Sequence, residues 1–331
     1  MRIGWPGFLI TALIAIGGVG YSAFRQSPWP WTLLIRYTFD KDAVQRNEAL
    51  DRLRPAGVSE LRDEQYGENS DTVLDLYFPP TASDGNARPV VVWIHGGAYA
   101  AGNKRDVAGY LRILAARGYV TVAIGYSRAP GAQYPTPVRQ ANEALAFLAR
   151  NANRFQIDTS RLFLAGDSAG AQIAAQLAAI ISNPTYASGV GISPTITPAQ
   201  IKGVILFCGV YDASAIRTDG KLGGFIRAMM WAYFGNKDFA NDPRLAESAV
   251  NRHVTREFPP AFVSVGNADP LAPQSRMLVS AIEAQSRAVT TLFFPDDYSP
   301  PLPHEYQFNL DSDAGREALE RLSDFLAASA E

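Results

Sequence analysis

Apolar residues along the chain fall into short, nearly continuous runs separated by longer stretches in which they recur every three or four positions. The short runs are 73–78, 90–94, 120–126, 161–165, 204–208, 261–265 and 290–294. Several are rich in β-branched residues, and unbroken runs of this kind suit strands buried on both faces. Helical spacing predicts helices over 107–116, 138–150, 169–181, 275–286 and 314–328. Strands and helices alternating in this way predict an α/β fold, a mostly parallel sheet with helices on both faces. Such sheets bind ligands beyond the carboxyl ends of their strands, so the polar residues that follow each strand are where chemistry is sought.

One apolar run is too long for a strand. From Ile3 to Phe24 no charged residue occurs, and Arg2 and Arg25 bound the segment. About 20 such residues span a bilayer core as a helix. Residues 1–26 therefore read as a transmembrane anchor, with a cleaved signal peptide as the competing reading. Tyr21-Ser22-Ala23 places a bulky side chain where a cleavage site wants a small one, which favours the anchor. No cysteine lies nearby for lipid attachment. Arg2 on one side faces Arg25, Arg36 and Lys41 on the other, so charge does not fix the orientation. The expected location is a membrane, on either side, or the periplasm or exterior if the segment is cleaved.

Residues 27–65 form a lead-in. Ser27-Pro28-Trp29-Pro30-Trp31 reads as interfacial, because Trp favours the headgroup level and Pro ends a helix. Residues 40–53 read as a surface helix packed on the domain that follows, 66–331.

Composition narrows the chemistry. In 331 residues, 30 Lys+Arg against 32 Asp+Glu leave a charge of −2 and no basic stripe, so nucleic acid is not an expected partner. The single cysteine, Cys208, lies in an apolar run, reads as a buried small hydrophobe and can form no intramolecular disulfide. Three histidines without metal-ligand spacing supply too few ligands for a zinc site, so no metal and no cofactor is expected.

The run 161–165 leads straight into Gly166-Asp167-Ser168-Ala169-Gly170 and then into the Ala-rich stretch to Ile181. A serine at such a strand-to-helix turn exposes its Oγ, while the glycines relieve crowding and the helix points its positive end at any oxyanion formed there. Upstream, the run 90–94 ends in His95-Gly96-Gly97-Ala98-Tyr99. A glycine pair after a strand lets backbone N–H groups face a developing negative charge, making Gly96 and Gly97, with Ala169, candidate oxyanion donors. His95 precedes that turn and reads as a brace.

The base must be His253 or His304. His304 is the better placed, since it follows the last strand through a Pro-rich loop and precedes the last helix. An orienting carboxylate is also required. Asp269 ends the segment that follows the run 261–265, while Asp296 and Asp297 share the loop of His304. Asp269 is preferred because a neighbouring strand lets it reach the ring from the side. The order Ser168, Asp269, His304 is that of α/β-hydrolases.

With these motifs the chain resembles α/β-hydrolase carboxylesterases of the hormone-sensitive-lipase-like and feruloyl/acetylxylan-esterase-like groups. The likeness runs from about Tyr66 to the end. Its carriers are Leu74-Asp75-Leu76-Tyr77, the His95–Tyr99 and Gly166–Gly170 segments, Tyr126-Ser127-Arg128-Ala129-Pro130, Asp269-Pro270-Leu271 and His304-Glu305-Tyr306. It implies Ser168, Asp269 and His304 as triad, and Gly96, Gly97 and Ala169 as oxyanion donors. It also implies an α/β-hydrolase fold. Between the sixth and seventh strands, residues 210–260 far exceed a common loop of about 2–6 residues and read as a lid-like insertion. Ala98 stands where many relatives carry a third glycine, which implies poor access for esters of tertiary alcohols, and Ser127-Arg128 replaces a common Arg-Leu. Phe225, Met229, Met230, Trp231, Tyr233 and Phe234 in the insertion fit either a lid over an acyl pocket or plain helix packing. The expected activity is hydrolysis of small to medium acyl esters through an acyl-enzyme. The same machinery would also serve an arylformamide or other amide, and a catalytically silent binding module would share the fold. Oligomeric state is left open.

Overall fold

The computed structural model describes residues 22–80, 86–216 and 218–330. The expected membrane segment lies outside them except for Ser22, Ala23 and Phe24. No helix among the described residues is long and apolar enough to cross a membrane.

Eight strands form one sheet in the order β1-β2-β4-β3-β5-β6-β7-β8. They are β1 (Ser59–Gln65), β2 (Val73–Phe78), β3 (Arg88–Ile94), β4 (Val120–Ile124), β5 (Ile157–Asp167), β6 (Ile201–Phe207), β7 (Ala261–Val265) and β8 (Val289–Phe293). β2 pairs antiparallel with β1 and β4, and the remaining neighbours are parallel. Side chains alternate across the central strands, so Val90, Val92 and Ile94 feed one apolar layer while Val91 and Trp93 feed the other. The first layer is covered by α3 (Thr136–Arg150), the short α4 (Ala152–Phe155), α5 (Ala169–Ser182), α6 (Pro184–Val190) and α9 (Ala272–Ala284). The second is covered by α2 (Ala108–Ala115) and α10 (Asp313–Ser329). Every residue of α5 is buried; most are Ala, Ile or Leu, and the buried Gln172 donates to Gln176 at 2.8 Å.

Two elements differ from expectation. β1, Ser-Glu-Leu-Arg-Asp-Glu-Gln, has no apolar run because it is an edge strand whose charges face solvent and discourage further pairing. The helical turn of residues 22–26 stops before Pro28, as expected, but Pro28 and Pro30 also open a second helix. α1 runs unbroken from Trp29 to Asp51 with Pro28 as its N-cap, and Pro30 lies in the first turn, where a missing N–H costs nothing.

The insertion between β6 and β7 carries α7 (Gly223–Phe234) and α8 (Pro243–Glu247). Met229, Met230, Tyr233 and Phe234 are buried. Tyr233 stacks flat on Tyr99 at 3.8 Å between centroids, and Phe225 stacks on Phe39 of α1 at 6.4 Å. Of the two expectations for these side chains, packing describes their placement: α7 sits against α1 and the loop after β3.

Candidate active site

Five neighbouring strands, β3, β5, β6, β7 and β8, end at one place, and each contributes a residue there. Ser168 follows β5 with φ 52° and ψ −119°, a left-handed backbone that its setting imposes. Its N–H donates to the Phe207 carbonyl at the end of β6 (2.8 Å), which anchors the turn. The glycines on either side are there for space. A Cβ on Gly170 would stand 2.0 Å from the Ile94 carbonyl oxygen, and one on Gly166 would stand 2.5 Å from the Gly170 carbonyl. The helix therefore presses directly onto β3, and Ser168 is pushed out at its N-terminus.

The structure brings Ser168, His304 and Asp269 together. His304 Nε2 lies 3.0 Å from Ser168 Oγ, and His304 Nδ1 lies 2.7 Å from Asp269 Oδ2. Asp269 is buried, and its other oxygen accepts from the Leu271 N–H at 2.7 Å, which fixes the carboxylate plane. Burial opposes a charged ring at His304, yet its surroundings outweigh burial and hold its pKa well above the ordinary imidazole value, with the Asp269 hydrogen bond and the Glu305 charge favouring the imidazolium. Asp296 instead points outward to Arg276 (3.0 Å), and Asp297 is exposed.

His95 and His253 lie elsewhere. His95 is buried and stacked on Tyr126 at 4.3 Å, with Nδ1–H donating to the Gly96 carbonyl (2.7 Å). Burial lowers its pKa to about 4, so it is neutral and braces the loop. His253 stacks on Tyr186 at 3.8 Å, on the wall of a separate cavity of about 430 Å³.

The oxyanion assignment needs one correction. The Gly96 N–H donates to Asp167 Oδ2 at 2.8 Å and is therefore spent within the protein. The chain then turns through three left-handed residues, Gly97 (φ 110°), Ala98 (φ 51°) and Tyr99 (φ 63°), closed by the Ala101 N–H on the Gly97 carbonyl (2.8 Å). The N–H groups of Gly97, Ala98 and Ala169 donate to no other described residue. That leaves the Gly97, Ala98 and Ala169 N–H groups as the candidate oxyanion donors.

Three neighbours of the site have no role assigned from the sequence. Cys208, at the end of β6, is fully buried, and its sulfur lies within 4.8 Å of the coordinating atoms of His304 and Asp269. Burial raises its pKa to about 11, so it is a thiol at neutral pH. Asp167 and Glu305 pair beneath the loop after β3. Both stand next to a triad residue in the sequence, which was the only available signal for them.

Strand order, a serine at a strained strand-to-helix turn, and acid and base loops on the adjoining strands together define the α/β-hydrolase fold. Solved structures agree on that fold. A phosphonate-inhibited esterase B from Lactobacillus rhamnosis matches with a TM-score of 0.76 at 21% identity, over 91% of this chain and 96% of that one. An esterase from Pyrobaculum calidifontis gives 0.72 at 21%, over 90% and 94%. A bacterial heroin esterase gives 0.68 at 23%, over 89% and 90%. Within that class, residues 74–282 match the family BD-FAE, and the chain belongs to it.

Proposed function

We propose that the chain is a serine carboxylic-ester hydrolase acting on small to medium acyl esters through an acyl-enzyme. The observation that carries this reading is the continuous line from Asp269 Oδ2 through both nitrogens of His304 to Ser168 Oγ. Ser168 Oγ attacks the ester carbonyl while His304 Nε2 takes its proton. Asp269 holds the Nδ1 proton and stabilises the imidazolium. The tetrahedral oxyanion meets the Gly97, Ala98 and Ala169 N–H groups and the positive end of α5. His304 returns the proton to the departing alcohol, and water repeats the sequence to free the acid. Supporting the choice of substrate class, the similar structures are named as esterases, one of them inhibited by a tributyrin phosphonate.

The test is a rate panel: p-nitrophenyl esters of increasing acyl length, an acetylated sugar and an aryl formamide. Turnover concentrated on acetyl to hexanoyl esters is expected. Preference for the formamide would move the reading to an amidase of the same fold, and no turnover by a protein that phosphonates also leave unlabelled would make it a binding module.

We also infer that residues 1–26 hold the enzyme at a membrane. Beyond the uncharged run from Ile3 to Phe24, the support is where exposed apolar side chains gather. Trp29, Leu33, Leu34, Tyr37 and Val44 all lie on the outer side of α1, directly after that run.

A further inference from the structure

Two guanidinium groups of α1 reach the catalytic end of the sheet, although α1 lies outside the stretch matched to the family. Arg36 donates to the Ala100 carbonyl (2.7 Å) and the Ala129 carbonyl (3.0 Å), gripping the far side of the loop that presents Gly97 and Ala98. Ten residues along the helix, about 15 Å, Arg46 pairs through Nη1 with Glu305 Oε2. The two side chains are only 24% and 16% exposed. Glu305 Oε1 lies 3.8 Å from His304 Nε2, and it faces Asp167 across Gly96, where a Cβ would stand 3.2 Å from Glu305 Oε1 and 2.3 Å from Asp167 Oδ2. Asp167 in turn accepts from Trp93 Nε1 (2.7 Å) and from the Gly96 N–H (2.8 Å). The line Arg46, Glu305, Asp167, Gly96 ends one residue short of the first oxyanion donor.

We propose that Arg46 is a positioning residue of this site: by clamping Glu305 against Asp167 it fixes the Gly96 peptide, and so aims the Gly97 and Ala98 N–H groups at the oxyanion. The proposal rests on the serine-esterase reading. Its charge logic is that of two buried carboxyls in contact, which hold one proton between them. The charged groups facing the pair are Arg46 from α1, Asp106 from the turn before α2, and His304. Burial and the Glu305 charge push Asp167 up. Burial would also raise Glu305, but Arg46 and then His304 hold it low. The proton therefore sits on Asp167, which donates it to Glu305 while its oxygens accept from Trp93 and Gly96. Every polar atom of that carboxyl is then used. Without the cation, Glu305 competes for the proton and the arrangement has no single favoured form.

The experiment uses the full chain in detergent, with p-nitrophenyl butyrate, and compares wild type with Arg46→Met, Arg46→Lys, Glu305→Gln and the exposed control Arg52→Met. A misaimed oxyanion loop is paid in the transition state, so Arg46→Met should lower kcat about tenfold or more with KM within about twofold. Arg46→Lys keeps the cation and should recover most of that loss, and Arg52→Met should match wild type. Removing the charge 3.8 Å from Nε2 destabilises the imidazolium, so Glu305→Gln should move the acid limb of kcat/KM to lower pH. The rate at which a fluorophosphonate labels Ser168 supplies a readout independent of ester turnover and should fall in parallel in Arg46→Met. Wild-type kcat and labelling in Arg46→Met would overturn the proposal. So would equal losses in the Met and Lys variants. Should Arg46→Met fail to fold, Glu305→Gln decides, and an unmoved acid limb with unchanged kcat overturns it. A wild type that is labelled but hydrolyses no ester defeats the esterase reading while the labelling comparison still tests Arg46. A wild type that is neither labelled nor active defeats both.

Discussion

A serine hydroxyl is a poor nucleophile until a base takes its proton, and at Ser168 that base is a ring held at both nitrogens. Ser168→Ala should therefore lose about a millionfold in kcat, with the circular-dichroism spectrum unchanged. His304→Ala should be comparably dead, and His253→Ala nearly normal, since His253 is stacked on Tyr186 away from the site. The reverse pattern in the same assay would reassign the base. Asp269→Asn presents the wrong tautomer partner and should cost about 10⁴ in kcat, whereas Asp296→Asn only frees a surface arginine. Protonation has a definite sign here. His304 works as a base only when neutral, and the Asp269 hydrogen bond and the Glu305 charge favour its charged form over the opposition of burial. Activity must then rise with pH through a raised pKa. The acid-limb midpoint of kcat/KM is expected above the ordinary 6.5, and a midpoint at or below 6.5 refutes this account of the ring's surroundings.

At the scale of elements, the site depends on how closely α5 approaches β3. Gly170→Ala drives a Cβ against the Ile94 and His95 carbonyl oxygens, at 2.0 and 2.5 Å, so helix and strand must separate. The expected cost is about 3 kcal/mol, a fall in Tm of roughly 4 °C for a chain of 331 residues. Gly189→Ala, in a helix where nothing lies within 4 Å of the new Cβ, is the control and should leave Tm unchanged or slightly raised. That close contact is also why the fold was legible. The runs 73–78 and 261–265 coincide with β2 and β7, because strands covered on both faces cannot hide their apolar character. β1 was not legible, since an edge strand made of Ser, Glu, Arg, Asp and Gln has no such obligation. The stop before Pro28 was legible, but the start of α1 at Trp29 rather than near residue 40 was not, because a proline that stops one helix can also open the next. The triad could be read from residue type and strand order alone. The oxyanion donors could be read only in part: residue type says that Gly96 is free to turn, but the direction of its N–H is set by Asp167, and Asp167 by a pair whose members are 259 residues apart. Contacts of that separation leave no local trace.

On the scale of the whole molecule, α1 faces two ways. Its inner side carries Ile35, Ala43 and Leu50 into the body and Arg36 and Arg46 toward the site, while its outer side leaves Trp29, Leu33, Leu34 and Tyr37 exposed. The uncharged run from Ile3 to Phe24 precedes it directly. If that run is a membrane anchor, the full chain should pellet with membranes, resist extraction by salt or carbonate, and come off with detergent. Deleting residues 1–26 removes the run but spares α1, so the product should leave the membrane pellet and retain wild-type kcat. Deleting residues 1–52 also takes away both guanidinium groups and uncovers the surface that Ile35 and Leu50 pack against. That product should either aggregate or fold with a much lower kcat. Mass spectrometry of the full-length protein separates anchor from signal peptide, because a mature chain beginning near Tyr21 or Phe24 would show the segment to be cleaved. In that outcome the exposed side of α1 would need a different partner, while the serine chemistry would stand unchanged, since the triad lies more than a hundred residues beyond the segment removed.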